Sequence, residues 1–181
     1  MNANSTIAIR EACPADAAAI ARVHVDTWRT SYASILPAEF LAGLAYERSE
    51  SIWGQALTKE LPHSCMLVAE TAADEVVGFV FGAQEREDNP LYRGEIFAIY
   101  VRAAHQSKGV GRRLFSNMVR HFVSEGIDSM LLRVFKDNHT ARQFYASLGG
   151  TYLKEKPIKV GDSEMIEVAY GWRDITGLAD E

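Results

Sequence analysis

The sequence predicts a mixed α/β domain, and three observations carry that prediction. Apolar residues recur at helical spacing in some segments, they form short β-branched and aromatic runs in others, and the two kinds of segment are interleaved. With 181 residues the chain suits one domain, 1–181, long enough to bury a sizeable core. Apolar residues at 48% and charged residues at 24% argue against a disordered or fibrous chain. No repeat, low-complexity tract or linker interrupts it.

Ile7 to Ile9 reads as a short first strand, and Asp16 as the N-cap of a helix whose Ile20, Val23, His24 and Thr27 fall at helical spacing. Pro37 suits the first turn of a second helical segment, Ala38 to Leu57, broken near Gly43. Cys65 to Glu70 and Glu75 to Ala83 read as a hairpin turning at Ala73-Asp74. Gln84 to Pro90 is a charged loop, and Tyr92 to Val101 a strand so apolar that both its faces must be largely covered. Gly109 opens the clearest helix, with Leu114, Phe115, Met118, Val119, Phe122 and Val123 as one stripe and Gly126 closing it. Ser129 to Phe135 is a strand, and Asn138 caps a short helix ended by Gly149-Gly150. Tyr152 and Met165 to Trp172 mark the last two strands, joined by a polar turn at Gly161-Asp162.

A net charge of −5 gives no basic footprint, which excludes nucleic acid as a main partner. It also means that any anion site must be built locally, from backbone donors and a few cations. Cys13 and Cys65 are too few for a disulfide framework and lack metal-ligand spacing, so reduced thiols in a cytoplasm are expected. The start Met-Asn-Ala-Asn-Ser-Thr has neither the positive nor the apolar region of a signal peptide, and no apolar run reaches the length of a membrane span. The five histidines are scattered, and no metal is expected.

The order strand, glycine-rich turn, helix presents free N–H groups and a positive helix end to an anion. Here the turn is Gln106-Ser107-Lys108-Gly109-Val110-Gly111-Arg112, with Arg113 beside it. Gly109 and Gly111 remove two Cβ atoms where a phosphate must come close, while Lys108 and Arg112 add cationic donors. A Walker loop is excluded because the lysine precedes its glycine, and a dinucleotide fingerprint because its third glycine position is Leu114.

The run Glu95-Ile96-Phe97-Ala98-Ile99-Tyr100-Val101 followed by Gln106-x-x-Gly-x-Gly resembles the strand and pyrophosphate loop of the GCN5-related N-acetyltransferases. Asn138-His139-Thr140-Ala141-Arg142-Gln143-Phe144-Tyr145-Ala146-Ser147-Leu148-Gly149 resembles that family's Asn-x-x-Ala-x-x-Phe-Tyr-x-x-x-Gly segment. Trp28-Arg29-x-x-Tyr32, Leu36-Pro37 and Tyr170-Gly171-Trp172 are similar to one bacterial branch of it, so the likeness spans nearly the whole chain. It departs at Ala103-Ala104, where a proline often stands, and at Gly150, usually Phe, a change expected to loosen the following strand.

The resemblance implies a central, mostly antiparallel sheet with a splayed parallel strand pair, flanked by helices, and acetyl-CoA as cosubstrate without a metal. In it the Ile99, Tyr100 and Val101 backbone meets the thioester and pantetheine arm, the turn Gln106 to Arg112 holds the pyrophosphate, and Asn138 contacts the arm. Tyr145 takes the place of the general acid for the departing thiolate, against the plainer reading of a core tyrosine. Glu95 is the candidate base, direct or through water, with a solvated carboxylate at a strand start as the equal alternative. Trp28 and Tyr32 fall where the acceptor groove is walled, though core packing explains Trp28 as well. The acceptor would be a primary amine of a small molecule or peptide, attacking directly, and the resemblance admits a homodimer through the last strands. The rival functions are an idle acyl-CoA-binding sensor and a protein using the turn for another nucleotide phosphate.

Overall fold

The computed structural model describes residues 7–87 and 89–180. Residues 1–6, on which the expected absence of a leader rests, lie outside these, as does Asp88 of the predicted loop Gln84 to Pro90. The elements follow the predicted order: β1 (Ala8–Glu11), α1 (Ala17–Ser31), α2 (Ala38–Ala42), α3 (Tyr46–Thr58), β2 (Cys65–Glu70) and β3 (Val76–Gln84). After them come β4 (Gly94–Val101), α4 (Val110–Ser124), β5 (Met130–Phe135), α5 (His139–Ser147), β6 (Thr151–Val160) and β7 (Ser163–Trp172).

The expected break near Gly43 is present: Gly43 is the C-cap of α2, and α3 starts anew at Tyr46. Two local expectations are corrected. Pro37 is an N-cap rather than a first-turn residue. Asp16 precedes α1 but makes no side-chain cap bond. Its carboxylate instead accepts from both Arg10 Nη atoms at 2.8 and 2.9 Å and from the Cys13 N–H at 2.8 Å. The Arg10 guanidinium, against burial and with help from the Cys13 N–H, holds the Asp16 carboxyl down at about 2.

The seven strands form one sheet in the order β1-β2-β3-β4-β5-β7-β6. Every neighbouring pair is antiparallel except β4 and β5. Strand residues alternate between two cores on opposite faces. The α4 stripe of Leu114, Phe115, Met118, Val119 and Phe122 covers Val77, Val80, Met130, Leu132 and Val168. On the other face Ile20, Val23 and Trp53 cover Val68, Phe79, Phe81 and Ala98. Fully buried side chains such as Phe79 and Phe122 each contribute about 1.5–3 kcal/mol relative to exposure.

Two irregularities position the site. Opposite β3, the register runs Phe81↔Ala98 and then Gly82↔Ile96, so Phe97 is one residue too many on β4. Phe97 and Ala98 both join the α1-side core, while Ile96 and Ile99 join the α4 side. On its other edge β4 pairs with β5 only from Gly94↔Met130 to Ile96↔Leu132. Beyond that point the two strands part.

After the departure at Gly150, β6 pairs with β7 from Thr151 on, with a register shift between Tyr152 and Lys154. A Cβ at Gly150 would lie 2.6 Å from Trp172 Cζ2 and 2.9 Å from the Tyr145 carbonyl oxygen. The indole of Trp172 fills the place of a side chain and donates Nε1–H to the Leu148 carbonyl at 2.8 Å. Gly150→Ala is therefore expected to destabilise the protein by about 1–3 kcal/mol through overpacking, read as a lower urea midpoint at unchanged slope.

Candidate active site

Where β4 and β5 part, a cleft of about 680 Å³ passes through the sheet. Its walls come from both faces: Thr27 and Thr30 of α1 with Tyr32 at its C-cap on one side, and Gly111, Arg112 of α4 and Phe144 of α5 on the other. The Arg102 N–H donates to the Val77 carbonyl at 2.9 Å, which fixes the antiparallel alternation of β4 against β3. Tyr100 and Ala98 then turn their backbone groups to β3, while Ile99 and Val101 turn theirs into the gap. So Tyr100, expected to offer backbone donors, has them committed to Phe79 across the ladder.

The glycine-rich turn ends at α4. Ser107 has φ 58° and Gly109 has φ 81°, the left-handed conformations that aim successive N–H groups to one side. The first bond back into the helix is Arg113 N–H to the Gly109 carbonyl at 3.0 Å. Among the described residues, the backbone N–H groups of Ser107 through Arg112 have no acceptor. Gly111 faces Phe144, with room for a Cβ at 3.5 Å. Val110 turns its side chain into the core and offers only its N–H. Lys108 and Arg112 are exposed, and Arg112 lines the cleft whereas Lys108 does not. Gln106 lines it too, but its Nε2 donates to the Val101 carbonyl at 2.8 Å, clamping the turn to the strand end.

On α5 the Asn138 Oδ1 accepts from the Ala141 N–H at 3.1 Å, as a cap should, leaving the amide nitrogen toward the cleft. Tyr145 is 7% exposed, lines the cleft and is pushed above the ordinary phenol range by burial, then by Tyr100. It therefore holds its proton at neutral pH. Tyr32 also lines the cleft. Burial, then the nearby Tyr100 and Tyr145 phenols, raise its hydroxyl, and the Asn138 amide draws it slightly back. Trp28 does not line the cleft; it packs edge-on against Tyr32 at 5.0 Å and Phe135 at 6.1 Å, with a buried, unpartnered Nε1.

Glu95 is neither solvated nor a wall of the cleft. It is 0% exposed, its Oε1 accepts from Arg133 Nη1, and Arg86 Nη2 forms an ion pair with the same oxygen at 3.0 Å. Burial raises its pKa, and the two guanidiniums oppose that. Arg133, which does line the cleft, went unread in the sequence, although a lone charge within Met-Leu-Leu-Arg-Val-Phe was its signal. Among the described residues, no three His, Cys, Asp or Glu side chains gather as a metal site.

The unpartnered amides, the open edge of β4 and the depth of the cleft fit a long anionic ligand with an extended arm. Gly111→Ala should leave folding nearly unchanged, since the Cβ finds ordinary contact. It should weaken coenzyme A binding about tenfold, about 1.4 kcal/mol, by standing over the amides. Gly109→Ala should cost about 1 kcal/mol of stability from its left-handed backbone. Titration calorimetry and urea melts separate the two.

The family model described as "Acetyltransferase (GNAT) family" matches residues 23–149. The chain is 31% identical over 172 residues to the uncharacterized N-acetyltransferase YuaI of Bacillus subtilis, covering 95% of this chain and 96% of that one. Its fold is similar to PaiA N-acetyltransferase of Thermoplasma acidophilum in complex with coenzyme A, with TM-score 0.69, 18% identity, and coverage of 90% and 98%. It is also similar to YncA of Salmonella typhimurium with its cofactor acetyl-CoA, with TM-score 0.66, 24% identity, and coverage of 93% and 94%. The sheet split between β4 and β5, the amide-rich turn and the family match agree, and the chain belongs to the GCN5-related N-acetyltransferase family.

Proposed function

We propose that residues 1–181 act as one acetyltransferase domain that transfers an acetyl group from acetyl-CoA to a primary amine of a small molecule or peptide by direct attack. The observation that carries this reading is the cleft itself: it joins the free amides of the turn to the unpaired edge of β4, and Tyr145 stands in its wall. Acetyl-CoA supplies an activated thioester.

The chain's own residues would do the rest. The Ser107 to Arg112 amides, with Lys108 and Arg112, hold the pyrophosphate at the start of α4. The Ile99 and Val101 backbone groups align the pantetheine arm as a strand would be aligned, and the Asn138 amide nitrogen reaches it. Tyr145 keeps a proton ready for the departing thiolate. Glu95 takes the proton of the acceptor nitrogen through water, burial having moved its carboxyl toward the range a base needs. Tyr32 walls the acceptor side, steadied by Trp28. A cytoplasmic setting suits the two free cysteines. No helix among the described residues is long and apolar enough to cross a membrane. A homodimer joined along β6, at the sheet edge, fits the same reading.

A thiol-release assay with a panel of primary amines tests this. Turnover should rise with pH as the acceptor and its base deprotonate, and Tyr145→Phe should lower kcat about 100-fold while leaving coenzyme A affinity unchanged. Coenzyme A, but not ATP or NAD, should raise the melting temperature. Binding without turnover would instead favour an acyl-CoA sensor.

A further inference from the structure

Arg133 is the first β5 residue beyond the last parallel pair, Ile96↔Leu132, so it stands at the apex of the gap. Its side chain is 4% exposed. A guanidinium at that depth requires carboxylates, and Arg133 distributes its donors among several. Nη1 donates to Glu95 Oε1, and Nη2 lies 3.2 Å from Glu85 Oε1 and 3.0 Å from Glu87 Oε2. Glu167 of β7 lies 3.8 Å from Nε, and Lys156 of β6 closes the group with Glu87 at 2.7 Å. Arg86, from the loop after β3, adds its own Nη2 to the same Glu95 oxygen, with its guanidinium over the Phe97 ring at 5.1 Å.

Among the described residues, every cation on Glu95 is therefore on Oε1, and the buried Oε2 has no hydrogen-bond partner. An arginine placed only to neutralise a carboxylate tends to take both oxygens side by side. This one takes a single oxygen and braces the carboxylate between β4 and β5.

We propose that Arg133 is a positioning residue for deprotonation of the acceptor: it anchors Glu95 through Oε1 at the apex of the gap and leaves Oε2 as the oxygen that receives the proton. This rests on the reading of Glu95 as the base. Because Glu95 does not itself line the cleft, the proton passes from the acceptor nitrogen along bound water to Oε2, and the nitrogen keeps the electron pair with which it attacks. Arg86, 55% exposed at its side chain, is the auxiliary cation, and Arg133 the fixed one.

The charged groups facing Glu95 are Arg86 and Glu85 from the β3–β4 connection and Arg133 from β5, with Glu87, Glu167 and Lys156 beyond. Without Arg133, burial and Glu85 push the carboxyl up against Arg86 alone. Arg133→Met should therefore raise the Glu95 midpoint by about one to three pH units. This is read on the ligand-free protein by NMR of 13C-carboxyl-labelled glutamate, with Glu95→Gln identifying the signal. The acid limb of the pH–rate profile, taken with the best acceptor of the amine panel, should move by the same amount, and the effect should vanish in a Glu95→Gln background. Arg133→Lys keeps the charge and guards against a folding failure: one ammonium cannot hold Glu85, Glu87 and Glu95 together, so a smaller shift in the same direction is expected at unchanged melting temperature. An unmoved limb in these variants, or an equal loss at every pH, overturns the role of Arg133 even if Glu95→Gln removes the limb. A Glu95→Gln profile identical to wild type overturns the base reading itself.

Discussion

Parallel pairing between β4 and β5 lasts from Gly94↔Met130 to Ile96↔Leu132, and a sheet that gives up ladder hydrogen bonds in its own middle must recover them elsewhere. Part of that recovery is visible: Gln106 takes up the Val101 carbonyl. The rest of the Ile99 and Val101 edge is left for something shaped like a strand. The extra residue at Phe97 belongs to the same construction, because a bulge bends its strand and strengthens the local twist just where the two strands diverge. The remaining parts follow from this opening. α4 begins at its rim, α5 stands beside it, and the C-terminal end of α1 covers its other mouth.

The two mouths differ in electrostatics. On the α4 side the attraction for an anion comes from backbone dipoles and exposed cations, which suits a protein whose net charge of −5 offers no help at long range. On the α1 side the charges are paired and largely out of water: Glu85, Glu95 and Arg133 are each nearly inaccessible. Charges held in this way resist salt screening and keep their geometry, whereas the exposed cations of the turn trade strength for adaptability. In the function proposed above, one mouth receives a ligand's charge, while the other holds its own charges still.

What the sequence disclosed was the local part. The stripe of α4, the cap at Asn138, the hairpins and the helix start at Gly109 are patterns within a dozen residues, and each reappears in the structure. What stayed hidden depends on partners far apart in the chain. Glu95 reads equally as a base and as a solvated strand-start carboxylate until Arg133 is placed next to it, 38 residues later. Asp16 reads as a helix cap until Arg10 claims its carboxylate. Gln106 reads as a phosphate contact until the strand end comes within its reach. Trp28 reads first as core and only second as groove, because a helical period records which side of a helix is apolar, not how far from the sheet's opening it sits. The two mouths of the cleft are likewise invisible to periodicity, since they arise from a register change rather than a composition.

The indole of Trp172 against Gly150 has a bearing on how relatives of this chain should be compared. The two positions lie in different strands, or at their margins, yet their side chains compete for a single volume, which the Tyr145 carbonyl also bounds. Each position judged alone looks permissive or anomalous. Judged together they form a coupled pair, in which a larger residue at 150 calls for a smaller one at 172. Relatives should sort into two compensated combinations at these sites, and a chimera that takes β6 from one group and β7 from the other would inherit either a hole or a collision.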